Sequence, residues 1–135
     1  MARDEETIAK TFTNYAQAFQ TLNPQAMISY CHLPCMLISS QGVLVMEDPA
    51  GVEALFTKMA EGLKTRGYAR SELRDFHLKQ VSANTAFLSV SRVRYKTDGQ
   101  ELERFSETYT FRNTVDGWKI AVATIHDSDT TLQLA

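Results

Sequence analysis

A change of hydrophobic period at Gly67 constrains this chain more than any other feature. Before it, apolar residues recur at helical spacing; after it, they fall in alternating runs separated by turn dipeptides. Such a chain must lay helices from its first half against a sheet built mainly from its second half, the α+β class. From Asp4 to Leu22, the residues Ile8, Phe12, Tyr15 and Phe19 form one face of an α-helix, with Asp4, Glu5 and Glu6 at the positive end of its dipole. Asn23-Pro24 reads as an N-cap followed by proline at the first helical position. It opens a short second helix through Met27, Ile28 and Cys31, which Pro34 stops. Residues 35–46 carry two apolar runs around Gln41-Gly42, the pattern of a hairpin. Asp48-Pro49 repeats the cap-and-proline signal and opens a third helix. Its stripe is Val52, Leu55, Phe56, Met59 and Leu63, and Lys64, Arg66 and Gly67 supply its end.

The second half predicts strands over about 70–82, 85–97, 101–113 and 117–126, with Asp98-Gly99 and Asp116-Gly117 as hairpin turns. If each dipeptide fills a two-residue loop, the registers follow. Arg94 then faces Glu103, Arg92 faces Phe105, Val90 faces Glu107, Leu88 faces Tyr109 and Ala86 faces Phe111. Across the next turn Phe111 faces Val122, Tyr109 faces Thr124 and Glu107 faces His126. All of these share one side of the sheet. That side is apolar at one end (Ala86, Leu88, Val90, Tyr109, Phe111, Trp118, Ile120, Val122) and polar at the other (Arg92, Arg94, Glu103, Glu107, His126). A core face that turns polar toward one rim describes a pocket with an open mouth. A one-residue slip in either turn would exchange the two faces.

The 135 residues fit one domain, with a core over about 5–127 and a polar tail at 128–135, either loose or capping a partner subunit. A net charge of −2, with acids and bases interleaved, leaves no basic stripe for nucleic acid. No run approaches the roughly 20 apolar residues that span a bilayer. The opening Met-Ala-Arg-Asp-Glu-Glu lacks the apolar region of a signal peptide, so the expected location is cytoplasmic, with Cys31 and Cys35 as thiols. No phosphate-binding glycine loop, nucleophile elbow or dinucleotide fingerprint is present, and no cofactor is expected. The Cys-His-x-x-Cys spacing at 31–35 does not match zinc pairings, so no metal is expected and the two cysteines read as small hydrophobes.

The order helix, short helix, hairpin, helix and meander resembles the nuclear-transport-factor-2-like superfamily, also called SnoaL-like or cystatin-like α+β cones. The residues that carry the likeness are Tyr15-Ala-Gln-Ala-Phe19, Cys35–Ser39, Asn84-Thr-Ala-Phe-Leu88 and Asp116-Gly-Trp-Lys-Ile-Ala121. The resemblance implies a strongly curved antiparallel sheet wrapped around three helices of the N-terminal half, an internal pocket, and a homodimer. The outer sheet face, with Phe87, Val93 and Tyr95, would be the dimer interface. Fold alone does not fix activity, since such folds serve isomerases, dehydratases, cyclases and non-catalytic modules. Set against ketosteroid isomerase, the tyrosine of that enzyme falls at Tyr15, its oxyanion-hole acid at Glu107 and its base at Ser39. A serine hydroxyl cannot take a carbon-bound proton without a base beside it, so that activity in its familiar form is not expected.

Glu107, His126 and Tyr15 are therefore the candidate catalytic residues. Glu107 and His126 would exchange protons, and Tyr15 would stabilise an oxyanion. Arg92, Ser39, Tyr109, Phe19 and Tyr30 are the candidate ligand-binding residues, Arg92 orienting an anionic group. The expected ligand is a small apolar or amphiphilic molecule. Two functions stay open: cofactor-independent isomerisation, dehydration or cyclisation by proton transfer, and a non-catalytic dimerisation or ligand-sensing module.

Overall fold

A computed structural model describes residues 4–134; Met1–Arg3, part of the segment read for export, and Ala135 of the tail lie outside it. The chain runs α1 (Glu5–Gln20), α2 (Gln25–Ile28), β1 (Cys31–Ser39), β2 (Gly42–Met46), α3 (Pro49–Thr65), β3 (Tyr68–Gln80), β4 (Thr85–Lys96), β5 (Glu101–Thr114) and β6 (Gly117–Ile125). One six-stranded curved sheet has the order β2-β1-β6-β5-β4-β3. The α+β architecture with three helices is as the sequence indicates. The sheet is not wholly antiparallel, however, because β1 and β6 run parallel. The reason is connectivity: β2 and β3 form opposite edges, α3 carries the chain from one to the other, and the meander returns β6 alongside β1.

The α1 stripe is buried as its spacing requires, with Ile8 and Phe12 wholly inaccessible. Burying a side chain like Phe12 contributes roughly 1.5–3 kcal/mol. Polar contacts tie both ends of α1 to edge strand β3. The Gln80 N–H donates to Glu5 Oε2 at 2.8 Å, and the Ser71 N–H donates to Gln20 Oε1 at 3.0 Å. At the start of α3 the Gly51 N–H donates to Asp48 Oδ1 at 2.8 Å, with Pro49 in the first turn. The second helix is shorter than expected. It ends at Ile28, Cys31 opens β1 instead of lying on a helix, and Pro34 stands inside that strand. No ladder partner is assigned to Pro34; the β1–β6 register jumps between Cys31 and Met36 there, so its missing N–H breaks no ladder bond.

The two long hairpins depart from ideal turns in different ways. Between β4 and β5 the loop has three residues: Lys96 N–H donates to Gln100 O at 2.8 Å, and Gly99 takes φ +88°. A bulge at Leu102 then restores the expected register, so Arg94 faces Glu103 and Val90 faces Glu107. Between β5 and β6 the loop is Val115-Asp116, with Thr114 opposite Gly117. A second bulge at Ala121 follows, and Glu107 faces Ile125 rather than His126. Trp118 and Ile120 therefore point inward as expected, whereas Val122, Thr124 and His126 belong to the outer face.

Residues of the C-terminal tail return over that outer face. The Leu132 N–H donates to Ser89 Oγ at 2.8 Å, Asp129 accepts from Ser91, and Asp75 accepts from the buried Thr131. The outer face is thus partly covered by its own chain. Val93 is fully buried, Phe87 and Tyr95 are half-buried, and Arg70 stacks 4.2 Å from the Tyr95 ring.

Candidate functional site

The inner face and the helices enclose a cavity of about 100 Å³. Tyr15 borders it from α1; Cys31, Cys35 and Leu37 from β1; Met46 from β2; and Leu55, Phe56 and Met59 from α3. The far wall is Arg94, Phe105, Glu107, Ile120, Ala123 and Ile125. Most of this lining is apolar, with Tyr15, Glu107, Arg94 and the two thiols as its polar elements. A space of this order is comparable with the roughly 150 Å³ cavity that holds a benzene ring.

Glu107 is 7% exposed, and its Oε1 is buried without a hydrogen bond among the described residues. Arg92 Nε lies 3.3 Å from that oxygen, close enough for an ion pair but outside hydrogen-bond geometry, so Nε is unpartnered as well. Arg92 is 2% exposed, and its Nη2 donates to the Tyr109 hydroxyl at 3.1 Å. Such a pair stabilises little in net terms, but losing one partner strands a buried charge. Arg94 occupies the next inward position of β4. Its Nη1 donates to Glu103 Oε2 at 2.6 Å, and its Nε is buried without a partner. Glu103 also accepts from Arg66 at 3.1 Å, tying the end of α3 to this wall.

Tyr15 is buried beside the cavity, and its hydroxyl has no protein partner among the described residues. Burial first, and Glu107 second, push its pKa well above the usual tyrosine value, so it remains a proton donor throughout the physiological range. Burial likewise raises the Tyr109 hydroxyl. The Cys31 thiol donates to Met27 O at 3.7 Å. The neighbouring Cys35 thiol first, and burial second, raise Cys31, and Cys31 in turn lowers Cys35.

Of the expected site residues, Tyr15 and Glu107 come together at the cavity. Arg92 and Tyr109 stand behind Glu107 and hold it in place without bordering the space. Phe19 lies beneath the two guanidiniums, 5.8 Å from Arg92 and 5.4 Å from Arg94, and also outside the cavity. Tyr30 packs edge-on against Tyr15 at 5.9 Å. Ser39 sits apart, in an open groove with Gln41, Gly42 and Leu44, where its Oγ accepts from the Gln41 N–H at 3.2 Å. His126 is excluded from the site. Its Nε2 lies 2.8 Å from Thr108 Oγ1 and its Nδ1 lies 2.7 Å from Thr130 O, both on the outer face, because the Ala121 bulge turned the strand over.

Arg94, Cys31 and Cys35 were not among the expected site residues. The alternation Val90, Arg92, Arg94 on β4 marks Arg94 as inward, whereas Cys31 comes into view only once β1 replaces the expected helix.

A family model described as NTF2-like protein (DUF6841) matches residues 4–128. No curated protein matches the chain. Among solved structures, a cystatin-like domain of unknown function from Nostoc punctiforme is 15% identical, with TM-score 0.75 over 99% of this chain and 81% of that one. An NTF2-like protein from Novosphingobium aromaticivorans is 19% identical, with TM-score 0.74 over 91% of this chain and 80% of that one. A ketosteroid isomerase-like protein from Erwinia carotovora atroseptica is 15% identical, with TM-score 0.70 over 93% of this chain and 96% of that one. At these identities the likeness is one of fold.

Proposed function

The chain belongs to the NTF2-like family, and from that premise we propose that its cavity binds a small, largely apolar carbonyl compound and moves a proton on it. The observation that carries this reading is the Glu107 carboxylate, 7% exposed, at the wall of a largely apolar cavity that Tyr15 and Arg94 also border. Its Oε1 has only the Arg92 ion pair at 3.3 Å, outside hydrogen-bond geometry, so the carboxylate keeps capacity for a ligand group. In the proposed step the Glu107 carboxylate takes a proton from the carbon next to the carbonyl. The Tyr15 hydroxyl donates to the developing oxyanion, and Glu107 returns the proton to the same or a conjugated carbon. The unpartnered Nε of Arg94 supplies a second donor for a carbonyl or carboxyl oxygen. Arg92 holds Glu107 from behind, which makes it a positioning residue.

Thermal-shift screening against lipophilic ketones and acids tests binding, and deuterium uptake from D2O into a bound ketone tests proton transfer. Stabilisation by a ketone, lost in Glu107→Gln and weakened in Tyr15→Phe, is expected, with exchange abolished by Glu107→Gln. Stabilisation without exchange would leave a ligand-sensing module, and indifference to both substitutions would reject the pocket.

A further inference from the structure

The wall opposite Glu107 has a chemistry that proton transfer does not use. Both cysteines of the chain and three of its five methionines (Met36, Met46, Met59) border the same cavity. Three of these residues, Cys31, Cys35 and Met46, stand on one strand pair, β1 and β2. Cys35 and Met46 are direct cross-strand partners in the β1–β2 ladder, 6% and 7% exposed, so their side chains share the inner face as neighbours. Cys31, at the start of the same strand, which is irregular between 31 and 36, borders the cavity with them. Met59 approaches from α3.

We propose that Cys31, Cys35 and Met46 form a binding site for a soft monovalent cation, Cu(I). Two thiolates and a thioether are the ligand set that selects Cu(I) over harder divalent ions. Zinc is disfavoured because it wants four ligands from cysteine, histidine or carboxylate, and the third heteroatom here is a thioether. The nearby histidine is engaged elsewhere, with His32 Nε2 lying 2.9 Å from Arg112 Nη1. Binding releases one proton from each thiol to solvent, forms two Cu–thiolate bonds and one Cu–thioether bond, and changes no oxidation state. The Arg94 guanidinium borders the same cavity and offsets the negative charge of the resulting centre.

The test uses the full-length reduced protein under anaerobic conditions, titrated into Cu(I) held by a colour-forming bidentate chelator. Withdrawal of one Cu(I) per chain is expected. Cys31→Ser and Cys35→Ser should each abolish withdrawal, and Met46→Leu should weaken it while conserving volume. Zn(II) offered in the same way should stay with its chelator. A second readout on the wild-type protein does not depend on the folding of a variant: Cu(I) should protect both thiols from iodoacetamide, and Zn(II) should not. Failure to withdraw Cu(I), withdrawal that persists in the Cys31→Ser/Cys35→Ser variant, or equal protection by Zn(II) would overturn the site.

Discussion

The two faces of the sheet treat buried polar groups in opposite ways. On the outer face, Ser89 accepts from Leu132, Thr108 meets His126 and Ser91 meets Asp129, so a polar layer is satisfied by the chain's own tail. On the inner face, Glu107 Oε1 and the Nε atoms of Arg92 and Arg94 are buried without hydrogen bonds, and Glu107 and Arg94 border a cavity. Ser106 Oγ is the outer-face exception. A polar group that serves only the fold is paired within the chain, whereas the inner face leaves donors and an acceptor for something the chain does not supply. That contrast, more than the size of the cavity, supports the proposed placing of the site on the inner side of the sheet.

The largest effect that could break this comparison is expected at the Glu107–Arg92 pair. Glu107→Ala strands a guanidinium that is 2% exposed and should cost about 3–5 kcal/mol in urea unfolding. A loss no larger than that of an exposed charge would mean the pair is solvated. Deleting residues 127–135 comes next. Loss of the Leu132–Ser89 and His126–Thr130 hydrogen bonds should cost about 1–2 kcal/mol while leaving ligand stabilisation of the remaining domain intact. If ligand binding vanished with the tail, the two faces would not be independent. His126→Ala should cost about 1 kcal/mol and leave any Glu107-dependent exchange unchanged.

The smallest effect is a pH dependence of the tail. Hydrogen bonds from Thr131 first and His77 second hold the Asp75 carboxyl below its usual range, and those from Ser91 and Arg104 do the same for Asp129. A depressed folded-state value means that the tethering is fully present above the unfolded carboxylate pKa of about 3.9. It is lost as pH falls through the lower folded value. Amide exchange at 127–134 should therefore accelerate below about pH 4 before the sheet responds. Acceleration at higher pH, or together with the sheet, would remove these carboxylates from the tail's anchorage.

The same contrast explains what was legible in the sequence. The α1 and α3 stripes were readable because their helical period is sustained over sixteen and seventeen residues, and at α3 the Asp48-Pro49 cap agrees with it. The β4–β5 register was readable despite a wrong turn, since the three-residue loop and the Leu102 bulge offset each other. The β5–β6 register was not. Ala121, Val122 and Ala123 are small and apolar on either face, so the bulge at Ala121 leaves no trace in the hydrophobic alternation. One inserted residue there moved His126 from the pocket to the tail. Pro34 misled for a related reason: proline forbids a helix but is tolerated in an unpaired stretch of strand, and the pattern alone does not separate the two. With that helix shortened, Cys31 joined Cys35 on β1 at the cavity wall.

A double-mutant cycle in stability between Glu107→Gln and His126→Gln tests the separation of the two faces most directly. The side chains lie on opposite sides of the sheet and share no partner, so the two losses should add to within about 0.5 kcal/mol. A coupling above about 1 kcal/mol would place carboxylate and imidazole in one network and contradict the assignment of the site to the inner face.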